Sequence, residues 1–213
     1  MKSVVVTGGT TRLGLAISAR LREDGWRVIT TSHRPEANAD ITIDLSEPLG
    51  AARLFSEACR ILGGNPPDAL VNNAALFTGD DTVIEAINFE APKKLTMMMA
   101  GREDGVGSVV NILDCRVLGE TAAQQSGVYA KTKRDLLDWT RKSAAMFAGT
   151  LRVNAVAPGP VMPPTGVCEA AGETPLGRPT PEDVAAAVAF LLGAERTSGC
   201  IVPVDGGQSL YNL

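Results

Sequence analysis

A doubly wound α/β fold, with about seven parallel strands and helices on both faces, is what this sequence predicts. Three observations carry that expectation. Short β-branched runs alternate with segments of helical period along the 213 residues. A glycine-rich turn, Thr7 to Gly14, stands between the first such run and the first helical segment. Hydrophobic residues make up 45% of the chain with only 4% aromatics, and Ala, Val and Leu dominate, which suits close helix-on-sheet layers. The length fits one domain spanning residues 1–213 rather than two.

The elements follow in order. Val4 to Val6 reads as a strand, and Leu13, Ala16, Ile17 and Leu21 then recur at helical spacing. Arg27 to Thr31 is a second strand and Ile41 with Ile43 a short third one. Leu54 to Leu62 is the end of a helix opened near Ser46. Ala69 to Val71 is a buried strand, and the segment from about Thr82 to Ala100 is largely helical. Ser108 to Leu113 is the next strand. Gln124 to Phe147 carries a long helical period whose apolar face bears Tyr129, Leu136, Leu137 and Phe147. Leu151 to Ala157 is a strand stopped by Pro158-Gly159-Pro160. Thr180-Pro181-Glu182-Asp183 supplies cap, proline and acidic first turn to a last helix ending near Leu192. Ile201 to Val204 closes the sheet. Strand ends in such sheets border the ligand site, so the loop of residues 159–181 is expected to meet substrate.

Composition excludes several classes. Net charge is −4, and no Lys/Arg block is long enough to track a phosphate backbone, which argues against nucleic acid. Residues 1–9 lack the apolar length of a secretory signal, and the longest apolar stretch, Val184 to Leu192, falls far short of a membrane span of roughly 20 residues. A cytosolic location is expected. Cys59, Cys115, Cys168 and Cys200 are scattered, with no CxxC pair and His33 the one histidine, so no metal site is expected and the thiols read as buried or idle.

Thr7 to Gly14 offers exposed N–H groups and a helix dipole to a pyrophosphate, with glycines that let the backbone approach the ligand. About 20 positions beyond such a turn, Asp or Glu reads a free ribose 2′-hydroxyl and Arg a 2′-phosphate. His33-Arg34 occupies that place, and Arg12 can reach the same phosphate from the turn, a guanidinium pair suited to a dianion. NADP(H) is therefore expected over NAD(H). The alternative is that these are ordinary solvated charges.

Tyr129 and Lys133 lie four residues apart on one face of the long helix. An ammonium nearby favours phenolate and lowers a tyrosine pKa from about 10, which eases proton transfer.

Taken in order, Thr7 to Gly14, Asn72-Asn73-Ala74, Asn88, Tyr129 with Lys133, Pro158-Gly159 and Val204 to Gly207 resemble the short-chain dehydrogenase/reductase family over nearly the full length. That resemblance implies a Rossmann-type domain and a small-molecule substrate. It makes Tyr129 the proton donor, has Lys133 hold the nicotinamide ribose and tune Tyr129, and gives Asn88 a water relay. It also implies cofactor contacts at Gly8, Thr11, Arg12, Leu13, Gly14, His33, Arg34, Asp44, Leu45, Asn72, Ala74, Pro158 and Gly159. Asn72 and Ala74 would flank the adenosine and ribose, and Asp44 would face the adenine amino group.

Departures from the family bear on substrate. Asp114 stands where most members have a serine that steadies a carbonyl, and Arg12 replaces the usual middle glycine. With His33-Arg34 and Phe77 these resemble the pteridine reductases and the bacterial dihydromonapterin and dihydrofolate reductases. Reducing a pterin C=N bond needs hydride at carbon and a proton at ring nitrogen. A carboxyl group can relay that proton, so Asp114 is expected with a pKa raised toward neutrality by desolvation, and Phe77 is expected to stack on the ring. The alternative has Asp114 capping the strand end and Phe77 in the core. The helix usual between the second and third strands is missing and the fourth is shortened, which leaves the oligomeric state open and allows a homo-oligomer. Two other functions stay open: a reductase or dehydrogenase of a small ketone or alcohol, and a non-catalytic NADPH-binding protein.

Overall fold

Val4, Val5 and Val6 are almost completely buried, and their alternation sets up the layers. In the computed structural model, which describes residues 1–102, 105–119, 126–162 and 174–211, they belong to strand β1, Ser3–Val6. The other strands are β2 (Arg27–Ser32), β3 (Ile41–Thr42), β4 (Ala69–Asn72), β5 (Gly107–Ile112), β6 (Leu151–Pro158) and β7 (Ile201–Val204). All pair in parallel as one seven-stranded sheet in the order β3-β2-β1-β4-β5-β6-β7. The order reverses direction between β1 and β4, which opens a crevice beyond their C-terminal ends.

Helices α1 (Arg12–Glu23) and α6 (Pro181–Gly193) cover one face, where Ile17, Leu21, Val184, Val188 and Leu191 pack on Val4 and Val6. On the other face, α2 (Gly50–Ile61) and α4 (Ala91–Ala100) bring Leu54, Ala58, Leu95 and Met99 against Val5 and Leu70. There α5 (Val128–Met146) sets Leu136 and Leu137 on Ala155 and Ala157 of β6. Each such Val, Leu, Ile or Met side chain, taken from water, contributes roughly 1.5–3 kcal/mol.

The chain enters α4 through α3 (Asp81–Glu85) and a π-helical turn, Ala86–Glu90, and closes with α7 (Gln208–Tyr211). Thr180 caps α6 as expected: its hydroxyl accepts from the Asp183 N–H, and the Asp183 carboxylate accepts from the Thr180 N–H. Between β2 and β3 there is only one 3₁₀ turn, Pro35–Ala37, in keeping with the missing helix.

Two boundaries differ from expectation. Helix α2 starts at Gly50 rather than near Ser46, because Asp44 accepts hydrogen bonds from the Ser46 N–H and hydroxyl in a local turn and Pro48 disfavours helix before it. Helix α5 starts at Val128, since Gly127 has φ +91°; Gln124 lies outside the described residues, as do residues 163–173 of the expected substrate loop.

Candidate active site

The turn after β1 is packed too tightly for side chains at its pivotal position. A Cβ on Gly14 would strike the Gly8 carbonyl oxygen, so glycine there lets α1 begin against the turn. Arg12 adopts φ +51°, a left-handed conformation unusual for a side-chain-bearing residue. Asn73 clamps the turn from β4, its amide donating to the carbonyls of Thr7 at 2.9 Å and Gly8 at 3.2 Å. Thr11 is exposed and Leu13 half-buried. Thr11 makes no side-chain cap on α1, which leaves the first-turn N–H groups, at the positive helix end, to another acceptor. These features fit a dinucleotide pyrophosphate.

His33 and Arg34 stand exposed just past β2. Asp44 lies exposed near His33, its carboxyl held below the usual range first by the Ser46 hydroxyl, then by the Ser46 N–H. Leu45 is buried in the core. Ala74 packs beside Gly8. Pro158 ends β6, and at Gly159 a Cβ would lie 2.7 Å from the Asp205 Cα, so the loop can leave the sheet there only with glycine. Asn72, 3% exposed at the end of β4, donates its side-chain amide to Asn111 at 2.8 Å within the sheet.

Past β5, Asp114 opens a single 3₁₀ turn, Cys115–Val117, and Tyr129 rises from the first turn of α5. The Tyr129 hydroxyl donates to Asp114 Oδ2 at 3.0 Å. Lys133, one turn on, is buried, donates to the Ile112 carbonyl at 2.8 Å and lies 5.7 Å from the centre of the Tyr129 ring. Phe77 meets Tyr129 edge to face, ring centres 4.8 Å apart, and is 38% exposed, so it is not a core residue. Asn88, fully buried in the π-helical turn, accepts from the Leu76 N–H and donates to its carbonyl, which fixes the backbone next to Phe77. Its contact to the Thr132 hydroxyl, at 3.4 Å, reaches the neighbour of Lys133 rather than Lys133 itself. Asp114, Tyr129, Phe77, Arg116, Asp81 and Val117 border one cavity of about 430 Å³.

A family model described as Enoyl-(Acyl carrier protein) reductase matches residues 10–209. The protein FixR of Bradyrhizobium diazoefficiens is 30% identical over 98% of this chain and 87% of its own. The chain belongs to the short-chain dehydrogenase/reductase family, oxidoreductases that use a nicotinamide dinucleotide. Its fold is also close to FolM alternative dihydrofolate reductase 1 from Brucella suis in complex with NADP, at TM-score 0.82 and 27% identity, covering 98% of this chain and 95% of that one. The 3-alpha-hydroxysteroid dehydrogenase of Pseudomonas sp. B-0831 complexed with NADH superposes at TM-score 0.84 with 25% identity, over 99% and 98% of the two chains.

In this short-chain dehydrogenase/reductase the electrostatics of the pair reverse two expectations. Burial pushes the Asp114 carboxyl up, but the Arg116 guanidinium and N–H, with the Lys133 cation, outweigh it, and the net shift is below the usual range. Asp114 is thus ionised rather than poised near neutrality. Tyr129 is raised, by burial and then by the Asp114 charge, so its phenol holds its proton. Lys133 is lowered to about 8 by burial, partly offset by Asp114.

Asp114 does cap the 3₁₀ turn, accepting from the Arg116 N–H, and it faces the cavity as well. Arg116 is the cavity residue that sequence reasoning passed over, and Asn73, named there within its motif, had been given no role. The only signal for Arg116 was a basic residue two places after a strand-end aspartate. Cys59, Cys115 and Cys200 are free thiols, Cys115 pushed up to about 12 by burial, while Cys168 lies outside the described residues. Among the described residues no helix is long and apolar enough to cross a membrane.

Proposed function

We propose that this chain is a single NADP(H)-binding domain that reduces the C=N bond of a flat heterocycle, a dihydropterin or dihydrofolate. The observation that carries the reading is the Tyr129 hydroxyl on Asp114 at 3.0 Å, with Phe77 edge-on to the same ring, at one cavity. A carbonyl reductase of this family has a neutral serine hydroxyl at the Asp114 position, and a carboxylate there would repel a carbonyl oxygen but accept ring N–H groups. The likeness to the FolM structure supports the same reading.

The turn from Gly8 to Gly14 would hold the pyrophosphate, Arg12 and Arg34 with His33 a 2′-phosphate, and Lys133 the nicotinamide ribose. When bound, the reduced nicotinamide supplies hydride to the ring carbon. Tyr129 gives the proton to the ring nitrogen. Burial and the Asp114 charge keep Tyr129 in the donor form at neutral pH, and the phenolate left by proton transfer regains its proton from solvent. Asp114 is ionised and accepts from Tyr129, so it orients the donor and anchors substrate N–H groups instead of carrying the proton itself. Phe77 offers a partly exposed ring to the face of the substrate.

NADPH oxidation followed with dihydropterin, dihydrofolate, small ketones and quinones tests the proposal. Turnover of the two pterin-ring substrates is expected; turnover confined to ketones would overturn it.

A further inference from the structure

The Asp114 carboxylate is fully subscribed. Its Oδ1 accepts from the Arg116 N–H at 2.9 Å and Nε at 3.0 Å, while Oδ2 accepts from Arg116 Nη2 at 2.8 Å and from the Tyr129 hydroxyl at 3.0 Å. Those four bonds use about all the lone-pair sites a carboxylate offers. A substrate N–H can reach Asp114 only by displacing one of them.

The easiest to displace is the guanidinium fork. The Arg116 side chain is 42% exposed and hangs from a one-turn 3₁₀ segment, whereas Tyr129 is set in α5. The fork also lies over both aromatic rings, its Cζ 5.5 Å from the centre of Phe77 and 5.7 Å from that of Tyr129. One flat N–C–N group thus donates two parallel bonds to a carboxylate while covering two ring faces at the cavity rim.

We propose that Arg116 is a specificity-determining residue that holds the place of the substrate's edge, so that the site selects a flat ring presenting the same amidine-like pair of N–H donors, as a 2-amino-4-oxopyrimidine edge does. A ring whose edge reproduces the fork can trade places with Arg116, because Asp114 keeps its two bonds and the aromatic rings keep a flat partner. A ring with a carbonyl at that edge would leave the carboxylate facing an oxygen, at the cost of repulsion and an unsatisfied charge. Arg116 swings toward solvent, where it stays hydrated. This deepens the reading of the same site as a pterin-ring reductase and rests on it for the substrate class.

The test is equilibrium binding to the full chain with NADPH present, using two flat fluorescent probes: pterin, which has the 2-amino edge, and 2,4-dioxopteridine, which has oxygen there. Arg116→Ala should tighten pterin about tenfold and leave 2,4-dioxopteridine within about twofold, since only the first competes with the fork. Arg116→Gln, which keeps the stem but cannot make the fork, should give an intermediate gain and serves if the alanine variant folds poorly. Asp114→Ala should erase the preference for pterin. Weaker pterin binding in Arg116→Ala or Arg116→Gln, or an equal gain for both probes, would overturn the proposal. If dihydropterin is not turned over while the selective gain persists, the catalytic reading fails and the role of Arg116 stands. If dihydropterin is turned over while the variants bind pterin more weakly, the catalytic reading stands and the role of Arg116 fails.

Discussion

The hydroxyl of Tyr129 and the carboxylate of Asp114 share a hydrogen bond of 3.0 Å, bringing the end of β5 and the first turn of α5 together across the cavity. Asp114 is ionised and Tyr129 protonated, so the pair stores a proton on the phenol and an acceptor beside it.

Removing the donor tests its role most directly. Tyr129→Phe keeps the ring against Phe77 and should lower kcat for the reduction by about 100-fold or more, the usual size of a lost general acid. NADPH affinity, read by fluorescence titration, should stay within about threefold.

Asp114→Ser converts the site toward the carbonyl-reducing pattern. Pterin-ring turnover should fall by about 100-fold, with the cofactor dissociation constant little changed, because Asp114 lies at the substrate cavity and not in the glycine turn. Steady-state kinetics alongside cofactor titration separate the two.

Arg12 holds a strained backbone at the mouth of the glycine turn. Arg12→Gly relieves φ +51°, a conformation that costs about 1–2 kcal/mol with a side chain, though glycine returns part of that as unfolded-state entropy. The melting temperature should rise by about 1–3 °C. NADPH binding should weaken about tenfold or more and NADH binding should barely move, as for Arg34→Ala. Equal losses for both cofactors would remove Arg12 from 2′-phosphate recognition.

Gly14→Ala should do the opposite to stability. The new methyl meets the Gly8 carbonyl oxygen, and overpacking of this kind costs about 1–3 kcal/mol. Calorimetry should show a melting temperature lowered by roughly 2–10 °C, with weakened cofactor binding.

Lys133 ties activity and stability to pH in opposite senses. Its pKa of about 8 means that the cation is lost as pH rises through that value, so kcat/KM for NADPH should fall above it. The folded protein there binds fewer protons than the unfolded chain, whose lysine titrates at the ordinary 10.5, so the Lys133 contribution makes stability rise with pH between about 8 and 10.5. Denaturant titrations at pH 7 and 9.5 check the sign, and Lys133→Met should flatten both profiles.

Much of this molecule is legible in its sequence. The strand runs, the glycine turn, the capped start of α6 and the four-residue spacing of Tyr129 and Lys133 are local patterns, and local patterns survive because helix and strand periods are set by backbone geometry over a few residues. Those features also carry the family. The ionisation of Asp114, the raised phenol of Tyr129 and the pairing of Asn72 with Asn111 across the sheet were decided only in three dimensions. A pKa or a hydrogen-bond partner depends on distance and burial among groups far apart in the chain, as Asp114 and Tyr129 are, and a turn that aims Arg116 back onto Asp114 leaves no periodic trace.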